Sequence, residues 1–527
     1  IVNSRFVGNR ASNSGGGASI SATFPDYPKF QVVISGTEFI SNTAVCTSFS
    51  CSLHGGGLRI FELDAVISHS RFENNRCAGE SERCTGGGLA HSQAFNPVSL
   101  TLQETDFISN SAQYNGGGVS FDATFADTLQ VSGGRFISNS VVITEVTAFG
   151  GEGGGLFVRD AAAVITGTEF INNTALRLGG GLYTLGPAEI RGALFQANQV
   201  RDGHGGGGAF EFVGAVAITE TVWMSNTAAL NGGGVYGALP LEISGGRFEG
   251  NRSLGGDSSG NLEGGGGIYA TQPLTLTHVD FVNNRANQNG GAIMMLNGQP
   301  LRIDGGRFEQ NAAAGQGLFS QRGGGGLFIV GDVAAVETVF ISNTAVLTNS
   351  FNTLNSGGAG YIFGSAVLDR VQVLENAAYN AGGGFYVSAG LVMTDSLFSG
   401  NEALAFNGGG AFVSGDITVS DSDFIYNTAG GSGGAIAVSQ GDVVLEQTMV
   451  YSNTAVSSGG GLSIFGGVGG VTATITSAEF QHNTVTVGAG AGASIFVGIG
   501  GQTLVSDTLW AYNTAVGNGG ALSLDTA

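Results

Sequence analysis

The sequence predicts an all-β fold, a right-handed parallel β-helix of about 17–18 coils with three short strands in each coil. Two observations predict it. An apolar residue followed three positions later by asparagine recurs along all 527 residues, and a glycine cluster follows each asparagine. Between these marks, apolar and other residues alternate over short runs, which is the period of a β-strand. The mean repeat of about 30 residues lies in the range of solenoid proteins.

The unit from 179 to 198, GGGLYTLGPAEIRGALFQAN, shows the order of the elements. A first alternating run follows the glycines, Gly186 and Pro187 form a turn, and a second run leads to the aromatic residue and the asparagine. Strands this short cannot bury a face alone, so successive units must stack strand on strand. Parallel crossovers are right-handed in nearly all proteins, which gives the predicted hand.

Each repeated position becomes a row along the axis of the predicted helix. The position after the glycines is aliphatic and points inward. The aromatic position forms a stacked core that supplies much of the burial energy. Trp223 and Trp510 are large substitutes in this row, and Val373 and Val450 are small ones. The predicted core aromatic ladder consists of Phe39, Phe72, Phe107, Phe136, Phe170, Phe248, Phe281, Phe308 and Phe340.

Asparagine fits the corner after the aromatic residue because it tolerates the left-handed conformation. Its amide both donates and accepts, so stacked asparagines can bond along the axis. Glycine fits a corner where coils approach closely. The predicted ladder consists of Asn42, Asn75, Asn110, Asn139, Asn173, Asn198, Asn226, Asn251, Asn284, Asn311 and Asn343.

Composition excludes some classes of partner. The 94 glycines suggest a disordered polymer, but 42% hydrophobic residues at regular spacing can bury a core. A net charge of −21 with a single lysine, Lys29, argues against nucleic acid and anionic membranes as partners. No run is long enough to span a bilayer and no leader is visible, so we expect a processed or partial chain forming one domain over 1–527.

Four cysteines lie in two consecutive spacers between asparagine and glycine: Cys46, Cys51, Cys77 and Cys84. Their spacing and the leaderless acidic chain favour disulfides and an oxidising compartment over a zinc site. Each loop can close on itself, or adjacent loops can be joined as Cys46–Cys77 and Cys51–Cys84, because stacked strands lie within disulfide reach. We slightly favour the pairs within each loop.

Two outward rows vary along the chain. The residue before the aromatic position alternates in charge, from Arg5 and Glu38 to Arg71, which can favour correct stacking. The second residue after the glycines is predicted to point outward and to form a stripe for lateral packing or for stacking on sugars. The alternative is that the chain's own loops cover it. The stripe consists of Phe157, Tyr183, Phe210, Tyr236, Tyr269, Met294, Phe328, Tyr386 and Phe412.

The pairing of FxxN with GGA or GGG, seen as FVNNRA…GGAI over 281–293 and FISNTA…GGAG over 340–360, resembles the repeats of chlamydial polymorphic outer-membrane proteins and other bacterial surface β-helix proteins. The resemblance covers the whole chain. It implies the β-helix architecture and a secreted or surface-exposed protein. Such repeats serve adhesins, autotransporter passengers and secreted structural proteins.

The sequence therefore predicts an extracellular or cell-surface structural β-solenoid without enzymatic activity, part of an appendage, filament or sheath. Joining residues 519–527 to residues 1–6 completes one repeat, so we expect self-association head to tail or side by side. The first alternative is an adhesin-like passenger that binds host or matrix glycans. The second is a polysaccharide lyase or hydrolase, but the six histidines occupy different or distant positions. We expect no cofactor, except that Asp257 and Glu263 could hold calcium weakly in a loop.

Overall fold

A computed structural model describes residues 1–22, 30–46, 54–79, 84–124, 126–142, 150–255, 262–314, 323–346, 355–467 and 470–525. Within these ranges all the regular secondary structure consists of β-strands. Neighbouring coils pair in parallel with equivalent positions facing each other, as Phe136 faces Phe170. The predicted all-β parallel solenoid is confirmed.

The chain divides into two compact units. Unit 1 comprises Ile1–Leu254 and Gly267–Gln272, and unit 2 comprises Gly255–Gly266 and Pro273–Ala527. The repeat pattern does not change at this division, so the sequence does not indicate it. Each coil contains three strands of three to five residues, and a shorter fourth strand follows the asparagine in most coils.

In unit 1, strands at the same place in successive coils form four parallel sheets. The first strands are Ala18–Ser21, Leu58–Phe61, Leu89–Ser92, Val119–Asp122, Leu156–Arg159, Leu182–Thr184, Gly208–Phe210, Val235–Gly237 and Ile268–Ala270. The second strands are Gln31–Ser35, Asp64–Ser68, Ser99–Gln103, Thr128–Ser132, Ala162–Thr166, Ala188–Arg191, Val216–Thr219 and Leu241–Ser244. The third strands are Arg5–Val7, Glu38–Ile40, Arg71–Glu73, Asp106–Ile108, Arg135–Ile137, Glu169–Ile171, Leu194–Gln196, Val222–Met224 and Arg247–Glu249. The fourth strands are Arg10–Ala11, Thr43–Cys46, Arg76–Gly79, Ser111–Ala112, Ser140–Val141, Thr174–Ala175, Gln199–Val200, Thr227–Ala228 and Arg252–Ser253.

Unit 2 repeats the same plan. Its first strands are Ile293–Met295, Leu327–Val330, Gly360–Phe363, Phe385–Val387, Ala411–Val413, Ile436–Ser439, Leu462–Phe465, Ala493–Phe496 and Leu522–Asp525. The second strands are Leu274–Thr277, Leu301–Asp304, Val333–Val336, Ala366–Asp369, Leu391–Thr394, Ile417–Ser420, Val443–Glu446, Thr472–Thr476 and Gln502–Ser506. The third strands are Asp280–Val282, Arg307–Glu309, Val339–Ile341, Gln372–Leu374, Leu397–Ser399, Asp423–Ile425, Met449–Tyr451, Glu479–Gln481 and Leu509–Ala511. The fourth strands are Arg285–Ala286, Ala312–Ala313, Thr344–Ala345, Ala377–Ala378, Glu402–Ala403, Thr428–Ala429, Thr454–Ala455, Thr484–Val485 and Thr514–Ala515.

The aromatic row forms a stacked core inside each unit. In unit 1 the rings of Phe136 and Phe170 lie 4.8 Å apart with planes 9° from parallel. In unit 2 the rings of Phe281 and Phe308 also lie 4.8 Å apart. All nine predicted members of the core aromatic ladder are completely buried. The coil spacing therefore sets the ring spacing, and the rings hold the coils in register.

Changes of side-chain volume in this core are compensated between strands. Where Trp223 replaces phenylalanine, Gly208 stands in place of the usual aliphatic residue, and a Cβ there would lie 3.1 Å from the indole. Where Val373 replaces phenylalanine, Phe385 inserts its ring from a first strand and contacts Phe340 at 5.2 Å. The interior therefore keeps its density by exchanging volume between adjacent rows.

Candidate functional surfaces

The asparagine row forms a hydrogen-bonded ladder that joins three coils at a time. The Nδ2 of Asn198 donates to the Phe170 carbonyl of the preceding coil and to the Oδ1 of Asn226 in the next coil. The backbone N–H of Asn198 also donates to the Asn226 Oδ1. The predicted ladder residues are completely buried. In unit 2 the same pattern continues to Asn513.

The predicted outward stripe is not exposed in the structure. Tyr183 is 3% exposed and packs with Phe157 and with Leu178 of the spacer. Leu178 forms parallel bridges with Glu152 and His204, so these spacers stack on one another as the coils do. In unit 2, Met294 and Phe328 are completely buried and Phe412 is 9% exposed. The stripe therefore lies largely inside the protein, as in the alternative that the chain's own loops cover it.

The predicted stripe has one residue in the wrong register and lacks one residue that belongs to it. Phe210 faces Thr184, the inward third residue of its strand, because Gly208 occupies the place of Leu182. Tyr361 was missed for the same reason: Gly360 takes the aliphatic place and Tyr361 faces Phe328. A glycine cluster of variable length hides which glycine begins the strand.

In unit 1, polar side chains that interact with one another lie beside the buried part of this stripe. The Tyr183 hydroxyl donates to the Glu211 carboxylate at 2.8 Å, and burial with the nearby Glu211 and Glu152 carboxylates raises the pKa of this hydroxyl. Burial also raises the pKa of Glu152 and lowers the pKa of His204 to about 4. The His204 ring stacks on Tyr236 at 4.8 Å. These groups form a packed network that fixes the spacers over the first strands.

The cysteines support the pairing within each loop. Cys77 and Cys84 form a disulfide, so the alternative pairs Cys46–Cys77 and Cys51–Cys84 are wrong. Cys51 lies outside the described residues, and its pairing with Cys46 stays a prediction. Buried His54 lies beside the disulfide, with one imidazole nitrogen and the two sulfur atoms within 4.8 Å of one another. The sequence did not indicate this neighbour, because His54 belongs to the preceding coil.

The alternating charges pair in part as expected. Arg5 bonds Glu38 of the next coil at 2.6 Å, and Arg135 bonds Asp106. Arg71 instead bonds Glu73 within its own strand at 2.8 Å. Exposed pairs of this kind contribute little to stability. They can nevertheless disfavour a slipped register.

The predicted calcium loop is only partly described. Asp257 lies outside the described residues. Glu263 is buried, and its Oε2 accepts a hydrogen bond from the Gln288 amide at 3.3 Å. This carboxylate is therefore already used to fix the spacer to the next coil. Most of the longest spacers also lie outside the described ranges.

A different row of aromatic residues is exposed in unit 2. Tyr426, Tyr451, His482 and Tyr512 come from four consecutive coils and contact one another in that order. Their ring centroids lie 5.9, 5.3 and 5.0 Å apart. Three of them occupy the residue immediately before the ladder asparagine, where most other coils have serine, asparagine or glycine. That substitution is the signal in the sequence that could have found this exposed aromatic row.

A second exposed surface follows the second strands of unit 2. Val367, Val392, Thr418, Val444 and Thr474 face one another in consecutive coils on the outer side of the sheet, and Leu504 continues the row. We call these six residues the valine face. Val367, Val392 and Leu504 are 48%, 46% and 58% exposed. The equivalent row in unit 1 is interrupted by Gln130, Glu189 and Glu242.

No helix in the described ranges has the length and hydropathy of a membrane span. The fold and these surfaces are what comparison with other proteins has to explain. No protein-family model matches the chain, and the search of curated proteins finds no significant match.

Proposed function

We propose that this protein is an extracellular structural solenoid, an element of a surface appendage, filament or sheath that works through stacked coils and lateral contacts. The asparagine ladder carries this proposal. The residues that repeat in every coil are buried and bonded to the adjacent coils, as Asn198 is to Phe170 and Asn226. The repeated residues therefore stabilise the stacking of the coils, and stacked coils present regular rows of side chains, as a structural protein requires.

The valine face is the surface that we assign to lateral contact. It is uncharged over six coils, whereas the protein has a net charge of −21. Two such acidic chains can approach closely only through a surface that lacks charge. The side chains repeat at the coil spacing, so the side chains of a second solenoid with the same spacing can pack between them.

The disulfide supports the proposed extracellular location. The Cys77–Cys84 bond persists in oxidising compartments and is rare in the cytosol. The resemblance to bacterial surface β-helix repeats, carried by stretches such as FVNNRA…GGAI, agrees with this placement. Secretion is tested by fractionating the producing cells and probing the medium and surface with an antibody.

The assembly proposal is tested with the double variant Val392→Glu, Val444→Glu. We expect the natural protein to form side-by-side assemblies with rising concentration in light scattering and negative-stain microscopy. The variant should stay monomeric with an unchanged circular dichroism spectrum, since both side chains point to solvent. The matched control is Val33→Glu, Val164→Glu, at the same strand position in unit 1, which should assemble normally. A natural protein that stays monomeric at all concentrations, or a variant that still assembles, contradicts the proposal.

A further inference from the structure

We propose that the exposed aromatic row of unit 2, Tyr426, Tyr451, His482 and Tyr512, is a binding site for a linear, neutral polysaccharide lying along the coil axis. This inference goes beyond the structural role and does not depend on it. The four rings form a continuous array in consecutive coils, each ring contacting the next. Because the rings repeat once per coil along a line, they can contact successive sugar units of a linear polysaccharide.

The rings leave faces open to a ligand. Tyr426 and Tyr451 meet at 85° and Tyr451 and His482 meet at 64°, so these two contacts are edge to face, whereas His482 and Tyr512 stack with planes 18° apart. An edge-to-face contact covers one face of one ring only, and the stacked contact covers one face of each ring. Gly400 occupies the same corner in the coil before Tyr426 and has no side chain to cover it. Tyr426 and Tyr512 are accordingly 59% and 78% exposed.

The backbone shows that the fold does not require these rings. Tyr426, His482 and Tyr512 have φ angles of 59°, 56° and 58°. Bulky residues rarely adopt this left-handed conformation. Ser225 and Ser342 fill the same corner in coils outside the row. The corner has a left-handed φ from Ser41 to Tyr512 whichever residue occupies it, so the fold sets this conformation and gives no reason for an aromatic ring there.

The chemistry of the row selects the ligand. Tyrosine and histidine combine an apolar ring with a polar tip, which suits the C–H face and the hydroxyl groups of a sugar. Two carboxylates flank the rings on the same third strands. Asp423 is half-buried, and Glu479 accepts a hydrogen bond from Gln481 at 2.7 Å. With a net charge of −21, these groups repel a polyanion, so the ligand is a neutral polysaccharide.

The test compares the natural protein with the triple variant Tyr426→Ser, His482→Ser, Tyr512→Ser. Affinity electrophoresis and titration calorimetry use hydroxyethyl cellulose and galactomannan as neutral probes and polygalacturonate as the anionic probe. We expect the natural protein to bind at least one neutral probe and not the anionic one. The variant should bind that probe at least roughly tenfold more weakly, since several ring contacts are lost. Its melting temperature should be equal or higher, because serine already occupies this corner elsewhere.

The matched control is Phe465→Ser, Phe496→Ser, which removes an exposed pair of rings on first strands of the same unit. It should bind as the natural protein does. Tyr426→Ser alone should show a smaller loss and serves if the triple variant folds poorly. The proposal is overturned if the natural protein binds neither neutral probe, or if the triple variant binds normally. It is also overturned if the rings prove to mediate self-association in light scattering without sugar.

Discussion

At the scale of single residues, the side-chain amide is what makes asparagine suitable for the corner. Asn226 Oδ1 accepts from both the backbone N–H and the Nδ2 of Asn198, while its own Nδ2 donates to the Phe195 carbonyl and to Asn251. No other side chain of that size both donates and accepts in this way. Aspartate in a stacked row would place like charges together.

Replacing Asn226 by alanine should therefore leave several buried groups unpaired. We expect the free energy of unfolding to fall by about 2–3 kcal/mol, measured by urea denaturation followed by circular dichroism. Thr227→Ala is the matched control, since Thr227 is the next residue and points outward on the fourth strand. It should change stability by less than about 0.5 kcal/mol. A stability loss equal for both variants would show that the ladder contributes little.

The exchange of volume between Val373 and Phe385 gives a second prediction. Val373→Phe overfills the core and should destabilise by about 1–3 kcal/mol. Phe385→Leu leaves a gap beside Phe340 and Phe398 and should cost a similar amount. The double variant restores the pattern of the other coils. We expect it to be more stable than either single variant in thermal melts, and strictly additive losses would refute the compensation.

At the scale of the element, the glycine cluster sets how closely the coils stack. In most clusters the second glycine lies under the backbone of the next coil, although Ala491 takes this place in one coil of unit 2, opposite Gly460. A Cβ on Gly180 would lie 2.3 Å from the Gly206 carbonyl oxygen. This is a steric requirement and does not depend on a positive φ. The sequence showed that the glycines mark a corner, but not which glycine meets which backbone.

Gly180→Ala should therefore be strongly destabilising, by more than about 3 kcal/mol, because backbone atoms cannot move aside locally. Gly192 is the contrasting site, since it has a φ of 57° and nothing within 4 Å of its missing Cβ. Gly192→Ala should cost only about 1–2 kcal/mol, the strain of the left-handed conformation. Differential scanning calorimetry measures both. Equal effects would mean that strain, and not close stacking, explains the cluster.

The element scale also shows where sequence reasoning failed. Alternation along a strand says which side chains leave the coil, and Tyr183 does leave it. It does not say that the spacers stack through Glu152, Leu178 and His204 and cover that side. Burial of the stripe depends on contacts between distant segments. The exposed row at Tyr426 depends on one corner residue in three of its four coils, so its signal was present in the sequence.

At the scale of the whole molecule, the repeat predicted the fold class, the aromatic core and the asparagine positions. Each of these depends on a local sequence pattern that recurs in every coil and is brought into a row when the coils stack. The repeat did not predict the division into two units or the valine face, because these depend on how a row varies from coil to coil. The buried His91 is another variation of this kind. It occupies an inward position between Ile60 and Phe121 and bonds the Leu63 carbonyl at 2.8 Å.

His91 makes stability depend on pH. Burial lowers the pKa of His91 from 6.5 to about 4, although the Leu63 carbonyl and the nearby Asp127 and Asp64 carboxylates oppose the shift. Between pH 6.5 and 4 the unfolded chain binds a proton that the folded chain does not. The contribution of His91 to the free energy of unfolding should therefore fall by about 3 kcal/mol as pH drops through this window, and His204, whose pKa is also lowered to about 4, adds to the loss.

The measurement is urea denaturation at several pH values for the natural protein and for His91→Phe, a ring of the size found at Phe121. Carboxyl groups with raised pKa, such as Glu152 and Asp122, contribute with the opposite sign, so the difference between the two proteins is the quantity to compare. The free energy of unfolding of the natural protein minus that of His91→Phe should fall by about 3 kcal/mol between pH 7 and pH 4. A pH profile for His91→Phe that runs parallel to that of the natural protein would contradict the assignment.

The asparagine ladder has a consequence for how such a chain can change in length. Asn198 bonds backward to one coil and forward to the next, and Asn226 makes the same set of bonds one coil later. Deleting residues 199–226 would make Asn251 the new neighbour of Asn198. Every ladder donor would still have an acceptor. Deleting only half of that stretch would leave the asparagine amides on both sides without their hydrogen-bond partners. The ladder in each unit therefore gains or loses only whole coils, and smaller differences in length fall in the spacers and turns, since adjacent ladder asparagines lie 25 to 35 residues apart.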